Sequence, residues 1–231
     1  EEIYSNDNKN QLFMNVEVAL AEAQGELGII PMSAAVEFKN KANIKYLSHD
    51  DVQKENARVR HGLVARLNVW KRSLDKDAVE FLHYGATTVD IMDTVLVLQI
   101  HDSLALLIED LLEIEMHLLK LTKENLYTYM AGRTLGQHAL PITFGKKMST
   151  WLGENRRNIE RLEHVKNKIR QSGILKGAVG SYLGLGENAI KTEALMMQKL
   201  GLDEPHKDDW HGIRDVFAEY ALTLALVSKS F

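Results

Sequence analysis

The chain has 231 residues, of which 45% are hydrophobic, and this composition excludes an intrinsically disordered protein. Its formal net charge is −4, and its Lys and Arg residues are scattered, so no surface for nucleic acid is expected. The chain contains no Cys, which excludes disulfides and thiolate metal sites and fits a reducing compartment.

The chain begins with the polar stretch EEIYSNDNKN, so no signal peptide is expected in it. Residues 8–28 carry apolar side chains at helical spacing and predict a helix that ends at Gly28. Pro31 starts a second short helix, Asp50 or the next residue opens a third, and residues 58–74 present the apolar face of a further helix.

Two long helices are predicted in the second half of the chain. Apolar residues recur at alternating steps of three and four over residues 97–121, which is a heptad seam. Residues 144–170 form a second long amphipathic helix. The glycine-rich segment 173–189 is predicted as a loop, residues 188–200 as a helix, and a last long helix begins near Trp210. No stretch alternates like a β-strand, so the predicted fold is all-α and is built round an elongated bundle of long helices.

The predicted organisation is a helical N-terminal domain over residues 1–87 and a central bundle domain over residues 88–231. Apolar runs such as VLVLQI, residues 95–100, are too short to span a bilayer, so a cytoplasmic protein without a membrane segment is expected. The final segment is strongly helical and stops without a Gly or Pro exit signal. We therefore expect a piece of a longer polypeptide, with the C-terminal part of the bundle missing.

The first polar cluster, LHYGATTVDIMDT, leads into the heptad helix. Thr87 and Thr88 lie at the predicted start of that helix, where free N–H groups and the helix dipole favour anions. With His83 they could hold a carboxylate or a phosphate. The alternative is that Thr88 is an N-cap and His83 a structural turn residue.

The second cluster lies in the connection before Pro141. Arg133 offers a planar fork for a carboxylate, and His138 could transfer protons near neutral pH. Thr134 and Gln137 add hydrogen-bonding groups. The alternative is a long interhelical loop with a structural arginine.

The third cluster, DDWHGIRDVFAEY, begins at Asp208. His211, Arg214 and Asp215 are expected on one turn of helix, either as a substrate contact or as an Asp–Arg pair that fixes a helix end. His61 lies on a helix that is otherwise apolar, and its alternative is a core histidine. The histidines form no HxxxH or HExxH pair, so no metal site is predicted.

The order of these motifs resembles the fumarase/aspartase superfamily, and essentially the whole chain takes part. The motifs are His61, HYGATTVDIMDT, GRTLGQHALPITFGKK, GSYLGLGE and WHxxRDxxAEY. The chain looks most like the branch that holds adenylosuccinate lyase and 3-carboxy-cis,cis-muconate cycloisomerase. The resemblance implies a homotetramer with active sites shared between subunits, no cofactor and a small polyanionic carboxylate substrate.

The resemblance also implies roles for single residues. His61 matches a general acid, and His138 is a second candidate for proton transfer. The resemblance places a catalytic His where this chain has Leu135, and a substrate-binding Gln where it has Ile213. Substrate-binding roles fall on a larger set: His83, Thr87, Thr88, Arg133, Thr134, Gln137, His211 and Arg214.

The implied reaction is a β-elimination that cleaves a C–N bond and releases fumarate, as in purine biosynthesis. A loop that carries the catalytic serine base is expected beyond residue 231. Two alternatives stay open. Leu135, Trp210 and His211 favour a carboxymuconate cycloisomerase, and a non-catalytic helical scaffold is the other.

Overall fold

The computed structural model describes residues 2–207 and 210–231, and within them it contains nine α-helices and one two-stranded sheet. This helical architecture confirms the predicted all-α fold with long helices. The helices are α1 Asn6–Glu26, α2 Met32–Lys41, α3 His49–Val59, α4 Gly62–Lys71, α5 Lys76–Val79, α6 Thr88–Glu124, α7 Phe144–Arg170, α8 Ala189–Lys199 and α9 Asp215–Ser228. The strands are β1 Tyr129–Thr134 and β2 Gln137–Thr143.

The chain folds into two compact units, each made from two stretches of sequence. Unit 1 consists of Glu1–Asp102 and Lys168–Arg214, and unit 2 consists of Ser103–Asn167 and Asp215–Phe231. Helix α6 therefore contributes its first part to unit 1 and its second part to unit 2. The predicted domain boundary between residues 87 and 88 stays a prediction.

The core of unit 1 contains an aromatic cluster that joins three helices. Phe13 of α1 and Phe38 of α2 lie with ring centroids 6.3 Å and 6.0 Å from Trp70 of α4. All three side chains are fully buried. The indole N–H of Trp70 donates a 3.0 Å hydrogen bond to the carbonyl of Lys41, so burial leaves its polar group satisfied.

Helix α1 also buries polar side chains at intervals of seven residues. Asn10, Glu17 and Gln24 are each at most 2% exposed. Asn10 donates to the carbonyl of Leu47 at 3.3 Å, and Gln24 donates to the carbonyl of Tyr84 at 2.8 Å. One face of α1 therefore fixes the backbone of two connecting segments in unit 1.

The heptad seam of α6 becomes progressively more exposed along the helix. Val97 and Leu104 are fully buried and Leu111 is 4% exposed, whereas Leu121 at the far end is 38% exposed. In unit 2 the side chain of Asn155 on α7 donates to the carbonyl of Leu111 at 2.8 Å. The apolar seam of α6 is therefore covered by other side chains of this chain only over its first part.

Among the described residues, α6 is the one helix that is long and apolar enough to cross a membrane, with a mean hydropathy of 1.6. The expectation drawn from residues 95–100 alone was therefore wrong about the length of the apolar segment. A buried core helix passes the same test, and Ile91, Val95 and Leu104 of α6 are fully buried in protein. The absence of a membrane partner stays a prediction.

The stretch between α6 and α7 was expected to be a loop, and this expectation was wrong. Strands β1 and β2 pair antiparallel, with Thr134 opposite Gln137. The two residues between them, Leu135 and Gly136, have φ values of 49° and 75°, as in the type I′ turn of tight hairpins. A register shift lies at Gly132, where a Cβ would be 2.6 Å from the carbonyl oxygen of Leu140.

Two predicted helix boundaries were also wrong. The helix expected over residues 58–74 is interrupted, because Arg60 adopts a left-handed conformation with φ 55° and ends α3. The last helix begins at Asp215 rather than near Trp210. The cluster expected on one turn of that helix therefore lies mostly before it, and Asp208 and its neighbour Asp209 lie outside the described residues.

Candidate functional site

The start of α6 in unit 1 carries two threonine hydroxyls, those of Thr87 and Thr88. Thr87 precedes the first helical residue, Thr88, and its N–H donates to Oδ2 of Asp90 at 3.0 Å. Both threonines are half-buried, and neither hydroxyl hydrogen-bonds to a described residue. Two hydroxyls beside the positive end of a 37-residue helix are thus available to an anion.

Asp90 joins this helix start to the glycine-rich loop. Its Oδ1 accepts from the N–H of Lys176 and its Oδ2 from the N–H of Gly177, both at 2.9 Å. The carboxylate is fully buried. Burial raises the pKa of Asp90, and the three backbone donors act in the opposite direction.

The glycine-rich loop contains a fully buried lysine. Nζ of Lys176 donates to Glu193 at 2.9 Å, to the hydroxyl of Tyr182 at 2.5 Å and to the carbonyl of His206 at 2.8 Å. Tyr182 in turn donates to Glu193 at 2.7 Å. Burial, and then the hydrogen bond and charge of Glu193, raise the pKa of Tyr182. All three donors of the ammonium group are therefore satisfied.

His83 is paired with a buried acid that the sequence analysis missed. Its Nδ1 lies 2.7 Å from Oε1 of Glu17, whose side chain is fully buried. Burial alone would lower the pKa of His83, but the hydrogen bond and charge of Glu17, with the charge of Asp90, raise it. The pair therefore stabilises the fold fully below the ordinary histidine pKa of about 6.5, and this contribution is lost as pH rises through the raised pKa.

The third cluster contacts α6 through Arg214. Nη2 of Arg214 lies 2.9 Å from Oδ2 of Asp93, so the expected local pair of Arg214 with Asp215 does not describe this contact. His211 packs edge-on against Trp210, with ring centroids 4.0 Å apart. Trp210 covers Gly180 of the glycine-rich loop, where a Cβ would lie 2.7 Å from the indole. This cluster therefore borders both the loop and α6 within unit 1.

His61 is neither on the face of a helix nor in the core. It is the exposed N-cap of α4, and its Nδ1 accepts from the N–H of Val64 at 3.3 Å. The core-histidine alternative is therefore wrong. The ring bonds within its own helix, and no hydrogen bond joins it to the other candidate residues of unit 1.

The second cluster lies in unit 2, on the hairpin. Nη2 of Arg133 on β1 is 3.4 Å from Nε2 of His138 on β2, and both side chains are exposed. Thr134 and Gln137 flank the turn. Because a guanidinium can only donate, Nε2 of His138 is the acceptor in this contact.

The candidate residues are divided between the two units. Unit 1 holds His61, His83, Thr87, Thr88, His211 and Arg214, and unit 2 holds Arg133, Thr134, Gln137 and His138. The described residues contain no group of three or more His, Asp or Glu side chains that could hold a metal. The assignment of roles to these residues stays a prediction.

Sequence reasoning missed the acids behind the basic residues. Glu17 lies on a helix that was analysed only for its apolar face, and Asp93 lies within the first polar cluster but was not singled out. A signal existed for Glu17, because it falls seven residues after Asn10 and seven before Gln24 on an otherwise apolar face. Lys176 had no such signal, since a lysine in a glycine-rich loop is ordinarily exposed.

Comparison with known proteins gives a consistent result. A protein-family model described as "Lyase" matches residues 8–230. The chain is 35% identical to the N-acetyl-S-(2-succino)cysteine lyase of Dickeya dadantii, over 98% of this chain and 49% of that protein. It is also 35% identical to the adenylosuccinate lyase of Methanocaldococcus jannaschii, over 99% of this chain and 49% of that protein.

A solved structure agrees with these sequence matches. The fold superposes on the β-carboxy-cis,cis-muconate cycloisomerase of Acinetobacter calcoaceticus with a TM-score of 0.93 and 29% identity. The match covers 99% of this chain and 54% of that one. The chain spans about half the length of the relatives that it matches.

The buried Lys176–Glu193 pair gives a stability prediction. Glu193→Leu leaves the ammonium group of Lys176 buried without its counter-charge, and we expect the free energy of unfolding in urea to fall by about 3–5 kcal/mol. Lys176→Met combined with Glu193→Leu removes both charges and should cost much less than the single change. A matched surface control is Lys120→Ala, whose side chain is 72% exposed and should not change stability measurably. A double variant that loses more than Glu193→Leu alone would contradict this account.

Proposed function

Because the chain belongs to this lyase family, within the fumarase/aspartase superfamily, we propose that the full-length protein is a lyase that cleaves a C–N bond. It would act by β-elimination on a small polyanionic carboxylate and release fumarate, as adenylosuccinate lyases do. In this proposal it is a cytoplasmic enzyme of purine biosynthesis and needs no cofactor.

The observation that carries the proposal is the unoccupied hydrogen-bonding capacity at the start of α6. The hydroxyls of Thr87 and Thr88 lie at the positive end of the helix and make no hydrogen bond to described residues. His83, whose pKa is raised by the hydrogen bond and charge of Glu17, belongs to the same segment. Such a site suits a carboxylate group of the substrate.

β-Elimination places two demands on such a site. A base removes the proton next to a carboxylate, and the resulting negative charge must be stabilised on that carboxylate by preorganised donors. An acid then protonates the leaving nitrogen. We assign charge stabilisation to Thr87, Thr88 and His83, and proton transfer to His61 or His138. Arg214, His211 and the hairpin residues Arg133, Thr134 and Gln137 would bind the remaining charges of the substrate.

A second candidate reaction is the same β-elimination with sulfur, instead of nitrogen, as the leaving atom. The N-acetyl-S-(2-succino)cysteine lyase matches this chain at the same 35% identity as the archaeal adenylosuccinate lyase. A cycloisomerase is the third candidate, favoured by Leu135 and by the sequence Trp210–His211. A scaffold without catalysis is the last.

One assay separates these candidates. The full-length protein is incubated with adenylosuccinate, N-acetyl-S-(2-succino)cysteine or 3-carboxy-cis,cis-muconate, and the products are quantified by liquid chromatography. We expect fumarate from adenylosuccinate. Fumarate from the thioether alone, or lactone from the muconate alone, would replace the first proposal by the corresponding rival. Turnover of none of the three would favour the scaffold.

Substitution of His61 tests its proposed role as general acid separately from its role as N-cap. His61→Ala should lower both turnover and thermal stability, because alanine is a poor N-cap. His61→Asn keeps a good N-cap and removes the acid, so we expect near wild-type melting and a kcat at least about 100-fold lower. A wild-type kcat in His61→Asn would contradict the role of His61 as general acid and leave it only its role as N-cap.

The homotetramer is also a proposal, and exposed apolar side chains support it. Leu135 at the hairpin turn is 101% exposed, and Tyr129 and Leu140 on the strands are 76% and 78% exposed. The second part of α6 exposes Leu112 and Met116. Clusters of this kind are typical of interfaces. Sedimentation velocity of the full-length protein should give four subunits, and a stable monomer would contradict the proposal.

A further inference from the structure

The geometry of the Glu17–His83 pair is not explained by core packing alone. Glu17 is 1% exposed, lies in the middle of α1 and spends one carboxylate oxygen on Nδ1 of His83 at 2.7 Å. Its other oxygen, Oε2, is buried and has no hydrogen-bond partner among the described residues. A buried oxygen without a partner is unfavourable, so the bond to His83 uses only half of the hydrogen-bonding capacity of this carboxylate.

Helix α1 holds the segment of His83 at two points. Glu17 binds the imidazole, and Gln24, two turns later, donates to the carbonyl of Tyr84 at 2.8 Å. Between these contacts the backbone of His83 has φ 63°, in the left-handed region that non-glycine residues rarely adopt. A strained conformation fixed from two sides is typical of a residue whose orientation matters for function.

Three charged groups face the ring of His83. Glu17 from α1 and Asp90 from α6 favour its cationic form, and Lys71 at the end of α4 opposes it. The side chain of His83 is 15% exposed, so water screens the acids only weakly. Nε2 makes no hydrogen bond to a described residue.

We propose that Glu17 is a positioning residue that keeps His83 as an imidazolium with Nδ1 committed, so that Nε2–H serves as a cationic donor to a substrate carboxylate. This inference rests on the proposed lyase function for the identity of the anion. The pairing fixes both the charge and the ring orientation of His83 before the substrate arrives. The entropy of fixing the imidazole of His83 is then lost on folding, so substrate binding does not have to offset it.

The proposal predicts a specific dependence on pH. The raised pKa keeps His83 cationic as pH rises past the ordinary value of about 6.5, and the charge is lost only through the raised pKa. Glu17→Gln keeps the shape and an acceptor oxygen but removes the charge. Burial then acts with less opposition, so the pKa of His83 should fall to or below its ordinary value.

The test combines NMR and kinetics on the full-length protein. Histidine labelled with ¹³C at Cε1 reports the titration of His83, whose signal is identified by its loss in His83→Gln. We expect the pKa of His83 to fall by one unit or more in Glu17→Gln. We also expect KM for the dicarboxylate substrate to rise about tenfold or more at pH 8, because one pKa unit is a tenfold change in protonation. At pH 5.5 the two proteins should have similar KM values.

Glu22→Gln is the matched control, because it makes the same change on the same helix. Glu22 pairs with Lys39 at 2.8 Å instead of with a histidine. This control should change neither the titration of His83 nor KM. If Glu17→Gln does not fold, the wild-type titration decides, and a pKa of His83 at or below the ordinary value overturns the proposal.

The outcomes separate this inference from the proposed function. An unchanged His83 titration in Glu17→Gln, or an unchanged KM at pH 8 despite a lowered pKa, would overturn the role of Glu17 while turnover persists. Absence of turnover in the wild type would overturn the lyase proposal instead. In that case succinate is added as a dicarboxylate probe. A shift of the His83 signal with succinate, weakened at pH 8 by Glu17→Gln, supports the positioning role, and no shift overturns it.

Discussion

The architecture of unit 1 depends on one carboxylate, that of Asp90. It accepts backbone N–H groups from the residue before α6 and from two consecutive residues of the glycine-rich loop. Thr94, one turn further along α6, exchanges hydrogen bonds with the backbone of Ile174 at the start of the same loop. Because these segments are 80 or more residues apart in sequence, their register is set by side chains of α6 and not by a sheet or a disulfide. The start of α6 and the glycine-rich loop beside it are consequently positioned as one piece.

The charges of unit 1 follow a common arrangement. Each basic group near this helix start has an acid behind it, and the acids are largely withdrawn from water. Burying an acid is unfavourable unless it is paired, and each pairing also fixes the cation in place. In two of these pairs the basic side chain remains partly accessible, His83 at 15% and Arg214 at 43% exposure, whereas Lys176 is fully enclosed. The pairs are His83 with Glu17, Arg214 with Asp93 and Lys176 with Glu193.

The long helices could be predicted from the sequence, but the hairpin between them and the side-chain contacts across the fold could not. The bounds of α7 agree with those expected from helical periodicity, because an amphipathic pattern of this length has few other solutions. The hairpin was missed because its turn is Leu135–Gly136 rather than the Asn–Gly that marks most type I′ turns. The strand sequences YMAGRT and QHALPIT also lack a regular alternation of apolar and polar residues. The contact of Arg214 with Asp93 was missed for another reason. Residues so far apart along the chain meet only through tertiary packing, which local patterns do not encode.

The turn at Leu135 has a consequence for how such a protein can change over generations. Its side chain is wholly exposed and contributes nothing to the packing of either unit, so the residue there is free of the constraints that govern a core. The hairpin demands only a left-handed backbone at this position, and Asn, Asp, His or Gly meets that demand at least as well as leucine. The position at which the superfamily resemblance places a histidine is therefore one where a single codon change can add or remove a proton-transferring group without a folding penalty. The side chain at such a turn can therefore change during evolution without affecting whether the chain folds.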